Sequence, residues 1–180
     1  MGYCIACLIS YGAFFAWFVT GPVLLIHVLK MSPVTFGWIT FFGGGLAMFC
    51  AGLVNARLVG KFGIKFMLQL GWSLMIASGI IMLTGNFLFG MNVIAIVAPI
   101  VIFYFASTLL WANIFAAAFS PFGHIAGYAG SVYGFMQISG AGLLAALMAH
   151  LPDHNQLPLA IVMIAAPALA LIIYRTVVKP

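Results

Sequence analysis

FMLQLGWSLMIASGIIMLT, Phe66–Thr84, opens a run that reaches Pro152 without one Asp, Glu, Lys or Arg. No water-facing surface can be built from such a run, so the bilayer must be the solvent for most of the chain. The composition agrees, with 66% hydrophobic and 4% charged residues and a mean hydropathy of +1.28, far from the range of soluble domains. The chain is read as an all-α integral membrane protein.

The residues just before this run, NARLVGKFGIKFML (Asn55–Leu68), hold Arg57, Lys61 and Lys65, half of the six Lys and Arg residues in 180 positions. The net charge of +5 is too sparse, and too poorly interleaved with aromatic residues, for a nucleic-acid surface. These charges are topology signals instead. A spanning helix needs roughly 20 apolar residues, and punctuation by Gly, Pro, Asn and charge predicts six. They fall near Tyr3–Val28, Val34–Val54, Phe66–Thr84, Val93–Phe119, Ala126–Ala149 and Leu157–Tyr174. The breaks are short, so consecutive helices run antiparallel. With six spans both termini share a side. If that side is the cytoplasm it receives Arg57, Lys61, Lys65, Arg175 and Lys179, against Lys30 alone outside. The basic stretch is therefore expected as a short cytoplasmic loop between helices two and three. The single acid, Asp153, falls in the last external loop, where it is hydrated.

The start, MGYCIA, has no basic preamble, and the apolar run to Ile26 is too long for a signal peptide. Ala6 stands where N-myristoylation needs Ser or Thr. Helix one is expected to begin almost at Met1.

The basic stretch in its setting, AGLVNARLVGKFGIKFML (Ala51–Leu68), resembles the loop between the second and third helices of each half of the major facilitator superfamily. Together with SPFGHIAGYAGSVYGFMQISGAGLLA (Ser120–Ala145), it is most similar to the C-terminal half of the Bcr/CflA (EmrD-like) group of drug/proton antiporters. Gln137, Gly140 and Ala141 carry that likeness in helix five. The pattern is departed from in the basic loop. Asn55 stands where a better-formed copy has an acid, and the spacing to Gly63 and Lys65 is longer.

The resemblance implies one six-helix half of a major-facilitator-type bundle, built as a 3+3 inverted repeat, with substrate bound near the midplane between two halves. It implies multidrug efflux by proton antiport across a bacterial inner membrane, and so antibiotic resistance. The partners implied are amphipathic drug-like molecules, protons, the lipid bilayer, and a missing N-terminal six-helix half or a second copy of the chain. Asn55, Arg57, Lys61, Gly63 and Lys65 would form the cytoplasmic motif loop. Arg57 and Lys61 would then meet helix ends or acids when that side closes, or else hold anionic lipid.

A cavity face is legible in helix one, where Tyr11, Phe15, Phe18 and Pro22 fall at i, i+4, i+7 and i+11. Pro22 removes a backbone donor and, with Gly21, makes a hinge for the outer third of the helix. Helix four repeats the stripe with Tyr104, Thr108, Trp111 and Phe115, while Asn113 lies nearly opposite and is expected to hydrogen-bond another helix. Gln137 is the polar exception on helix five, whose Gly127, Gly130, Gly134, Ala141 and Ala145 suit close packing. The substrate wall is accordingly assigned to Tyr11, Phe15, Phe18, Tyr104, Trp111 and Gln137. The bland alternative is that these stripes pack on lipid and on neighbouring helices.

No Asp or Glu falls in any predicted span, so a proton-coupling acid is expected outside this chain. His27 lies at a helix end and reads as interfacial. Cys4, Cys7 and Cys50 read as buried filler without a metal-ligand cluster. No phosphate loop or dinucleotide fingerprint is present, no cofactor is called for, and no catalytic residue is assigned. A rhomboid-type protease would need a base beside Ser131, yet His150 lies far along the same helix and His154 at a membrane edge. A membrane assembly subunit without transport is the remaining alternative.

Overall fold

A computed structural model describes residues 2–120, 125–151 and 155–177. Asp153, His154 and Lys179, which the sequence reading used, lie outside the described residues. Every regular element among the described residues is helical. Helix α1, Gly2–Pro22, runs on through a π-helical stretch, Val23–Val28. Ser32 then caps α2, Pro33–Ile39, by accepting the Thr35 backbone N–H at 3.1 Å, with Pro33 in the first turn where its missing donor costs nothing. A second π-helical stretch, Thr40–Gly44, joins α2 to α3, Gly45–Phe89. The chain ends with α4, Val93–Phe119, α5, Ala126–Ala149, and α6, Leu157–Val177. Asn92 caps α4 through the Ala95 N–H at 2.8 Å.

Five continuous helical stretches among the described residues are long and apolar enough to cross a bilayer. One of them, Pro33–Phe89, is broken at Gly63 into two apolar arms. The basic stretch differs here from the expected loop. Asn55, Arg57 and Lys61 ride on the first arm and Lys65 on the second, and only Gly63 leaves helical dihedrals, at φ 78° and ψ 164°. A residue without Cβ reaches that region at little cost, so one glycine does the work of a loop.

Helix α1 lies at the centre of the bundle, packed along α5 and α6 and touching α4, while α3 packs on α4 and α6. Small residues set the crossings, as they do where lipid offers no hydrophobic drive. Gly12 and Gly140 bring α1 and α5 together: a Cβ on Gly12 would lie 2.6 Å from the Gly140 carbonyl, and one on Gly140 would strike the Leu8 carbonyl. Gly79 sits close on α6 in turn, a Cβ there lying 3.0 Å from the backbone at Met163 and Ile164. On α5 the close approach thus falls at Gly140, whereas Gly127 and Gly134 face open space. Helix α5 is the least covered helix of the bundle, showing large apolar side chains such as Tyr128, Phe135, Ile138 and Leu143.

Polar pins hold these apolar surfaces in register. Trp72, fully buried, donates its indole N–H to Ser10 Oγ at 3.0 Å, and Ser10 in turn donates to the Ala6 carbonyl. Gln156 Nε2 donates to the Met82 carbonyl at 3.1 Å and fixes the start of α6 against α3. Cys7 Sγ meets the Tyr133 hydroxyl at 3.0 Å and ties α1 to α5, a linking part that the reading of Cys7 as filler did not include.

Candidate ligand site between α1 and α4

An apolar helix face becomes a recognition surface when its rings are aimed at one another across two helices. Here Tyr11 of α1 and Trp111 of α4 have ring centroids 5.1 Å apart. Phe14 stands between them, edge-on to Trp111 at 4.6 Å and to Tyr104 at 5.0 Å. Phe15 and Phe18 extend the wall along α1, with Phe15 4.9 Å from Tyr11 and Phe18 5.3 Å from both Phe14 and Phe15. Edge-to-face pairs at these separations suit the ring quadrupoles and make the assembly stiff. Its edge is open: Phe18 is 47% exposed, while Tyr104 and Phe14 are buried.

Five of the six residues assigned to the wall from sequence therefore meet in one ring assembly. The sixth, Gln137, is half-buried on α5 and joins none of these ring contacts. Phe14 was missed although it is the hub. Its signal was present, because Tyr11, Phe14, Phe15 and Phe18 are the i, i+3, i+4 and i+7 positions of one helical face.

Polar chemistry at the wall is sparse and mostly donor. Thr108 spends its hydroxyl on the Tyr104 carbonyl at 3.0 Å. The Trp111 indole N–H is buried with no hydrogen-bond partner among the described residues. Such a donor carries a penalty of about 1–3 kcal/mol until something accepts from it. Asn113 faces away from the wall and donates Nδ2 both to Asn55 Oδ1 and, at 2.7 Å, to the Leu109 carbonyl. Asn55 thus acts inside the helix bundle, while Arg57, Lys61 and Lys65 are exposed.

The hinge residues lie where α1 changes winding. Pro22 ends the α-helical part, and the π-helical turns that follow are closed by Leu29 N–H to the Leu24 carbonyl at 3.0 Å. The Trp17 indole lies over Gly21, 2.8 Å from where a Cβ would stand. A larger residue at Gly21 would displace that ring.

No family model matches the chain, and no solved structure matches it. Two curated relatives do. Over 175 residues the chain is 25% identical to the bicyclomycin resistance protein homolog of Haemophilus influenzae, covering 97% of this chain and 43% of that protein. Over 86 residues it is 34% identical to multidrug resistance protein D of Escherichia coli, covering 48% of this chain and 22% of that protein. The chain spans less than half the length of either relative. The kinship with the drug-antiporter group of the major facilitator superfamily, drawn from the residues around Asn55 and Gln137, is borne out by these matches.

Proposed function

From kinship with two drug-resistance proteins, we propose that the chain is one six-helix half of a secondary active drug exporter, organised as a 3+3 inverted repeat. Another six-helix unit or a second copy supplies the facing half, in keeping with a match to 43% of the longer-matched relative. The ring wall on α1 and α4 is the observation that carries this reading. Tyr11, Phe15, Phe18, Tyr104 and Trp111, with Phe14 at their centre, offer flat apolar contact to amphipathic drugs, and Gln137 adds an amide from α5. Drug-sized ligands gain most from such contact, with a few polar groups fixing orientation.

Export is driven by proton antiport, with the titrating acid outside this chain, since its lone acid is Asp153. The termini and the break at Gly63 face the cytoplasm, on the five-to-one distribution of Lys and Arg. The exposed Arg57, Lys61 and Lys65 meet helix ends or anionic lipid as that side closes. Gly21 and Pro22 let the π-helical stretch Val23–Val28 rock against α1.

The test is export by the natural gene, with whatever reading frame it occupies, in a bacterium stripped of its own drug pumps. Lower accumulation of amphipathic drugs, restored to the control level by a protonophore, is expected. Correct membrane insertion without any change in accumulation would sink the exporter and favour an assembly subunit.

A further inference from the structure

Two buried donors beside the ring wall lack partners, and they come from different helices. The Trp17 indole N–H on α1 and the Thr40 hydroxyl in the π-helical stretch after α2 are both sealed from solvent without a hydrogen bond among the described residues. Phe36, Thr40 and Gly44 succeed one another at four-residue steps. Phe36 meets the Trp17 ring at 6.2 Å, and a Cβ on Gly44 would touch the Tyr104 ring at 3.4 Å. Thr40 is bracketed by those two contacts on its own helix, and the Tyr104 hydroxyl lies beside the Trp17 indole without a well-formed hydrogen bond between them. Thr40 thus stands on the helix face that meets Trp17 and Tyr104, so polar groups from three elements border the edge of the wall, which Tyr104 joins through Phe14.

Orphaned donors in a membrane interior are costly, because no water is there to take them. One of them, Thr40, sits on a π-helical turn, a winding that is rare and concentrates at functional sites. No carboxylate faces them from any described element, since the chain's one acid is Asp153. The place is therefore suited to a hydrogen-bond acceptor, and this chain offers no carboxylate there to hold a cation.

Resting on the exporter reading, we infer that Trp17, Thr40 and Tyr104 form a polar recognition point selecting uncharged ligands that carry an acceptor oxygen, such as a carbonyl, amide or phosphoryl group, next to an aromatic body. The acceptor reaches it as α1 bends at Gly21 and Pro22, because the Trp17 ring lies on Gly21 and moves with the hinge.

Three probes of similar size separate the chemistries: triphenylphosphine oxide, which is neutral with a strong acceptor; triphenylmethane, which is neutral without one; and the tetraphenylphosphonium cation. Equilibrium dialysis against the full protein of the natural gene in lipid nanodiscs, corrected for empty nanodiscs, gives the bound fraction of each. The oxide is expected to bind about tenfold more tightly than either of the others, the worth of roughly one well-made hydrogen bond. Trp17→Phe and Tyr104→Phe should each erase part of that preference. So should Thr40→Val, which keeps the shape of the side chain and guards against a folding artefact. If the oxide has no advantage, or keeps it in Thr40→Val and Trp17→Phe, the recognition point is overturned while the exporter stands. If none of the three probes binds, the recognition point is overturned, while the exporter stands or falls on the accumulation assay.

Discussion

Asn113 on α4 and Asn55 on the first arm of α3 are joined side chain to side chain, Nδ2 donating to Oδ1, and Asn113 is 2% exposed. Beside this pair Ala51, Met67 and Leu109 form a small apolar cluster of their own. Asn113 thus pins the first arm of α3 to α4 on the side opposite the ring wall. Interhelical bonds of this kind in membranes average about 0.6 kcal/mol and reach about 1.7. Asn113→Ala should therefore lower thermal stability by an amount in that range, while Asn55→Asp, which keeps the acceptor, should lower it less. On the proposed exporter reading, Trp111→Ala in the full protein should weaken drug binding more than Asn113→Ala. The opposite order in well-folded variants would discard the α4 face assigned to the ligand.

Glycines on α5 should respond in opposite directions. Gly140→Ala drives a methyl into the Leu8 carbonyl on α1, where backbone must yield, and overpacking of this sort costs about 1–3 kcal/mol. Gly134→Ala meets nothing within 4 Å and gains helix propensity, so it should leave stability unchanged or raise it by up to about 1 kcal/mol. Thermal shift in detergent reads both. Equal loss in the two variants would mean that α5 does not cross α1 at Gly140.

Gly63 isolates a backbone effect from a packing effect. A Cβ there would meet no atom within 4 Å, yet φ is 78° and ψ 164°. Gly63→Ala should cost about 1–3 kcal/mol through strain alone. The measurable sign is a lower melting temperature without any change in the aromatic fluorescence of the distant ring wall. A neutral result would show that the two arms are joined differently.

Much of this could be read before any coordinates, because lipid imposes a simple code. Long charge-free apolar runs gave the helices, and the 3.6-residue period brought Tyr11, Phe15, Phe18, Tyr104 and Trp111 onto facing stripes. Other features were hidden for definite reasons. Phe14 was passed over because the stripe was followed in steps of four, three and four, and its i+3 neighbour was left out. A break of one residue at Gly63 looks like a loop when charge is the guide. The partner of Asn113 depends on how α4 is rotated against α3, which no single-helix pattern contains. Orphaned donors at Trp17 and Thr40 are visible only once three elements are assembled.

Orientation can be tested at sites better suited than Asn55, which is half-buried and engaged with Asn113. In a background lacking Cys4, Cys7 and Cys50, single cysteines at Lys61 and His150, both exposed, should label with an impermeant maleimide from opposite faces. Lys61→Cys is expected to react only after the membrane is opened, and His150→Cys in intact cells. Labelling from the same face would break the assignment of the basic residues to the cytoplasm.

The hub of the ring wall gives the sharpest test of the site. Phe14 touches Tyr11, Phe15, Phe18, Tyr104 and Trp111, whereas Phe18 closes one end of the row and is 47% exposed. Truncating a buried aromatic typically costs about 3–5 kcal/mol where the surroundings cannot collapse. Phe14→Ala should therefore destabilise the chain and also loosen Tyr104 and Trp111, so drug binding falls for every ligand. Phe18→Ala removes contact area at the open edge, and should weaken binding while leaving the stability within about 0.5 kcal/mol of the parent, as surface changes usually do. Phe14→Leu separates the two effects: it restores much of the volume without the edge-on ring contacts, each worth about 0.5–1.5 kcal/mol. Binding that stays weak in a refilled, stable Phe14→Leu chain is the expected result. Full recovery there would show that Phe14 serves only as filler and that the wall recognises ligands without its ring.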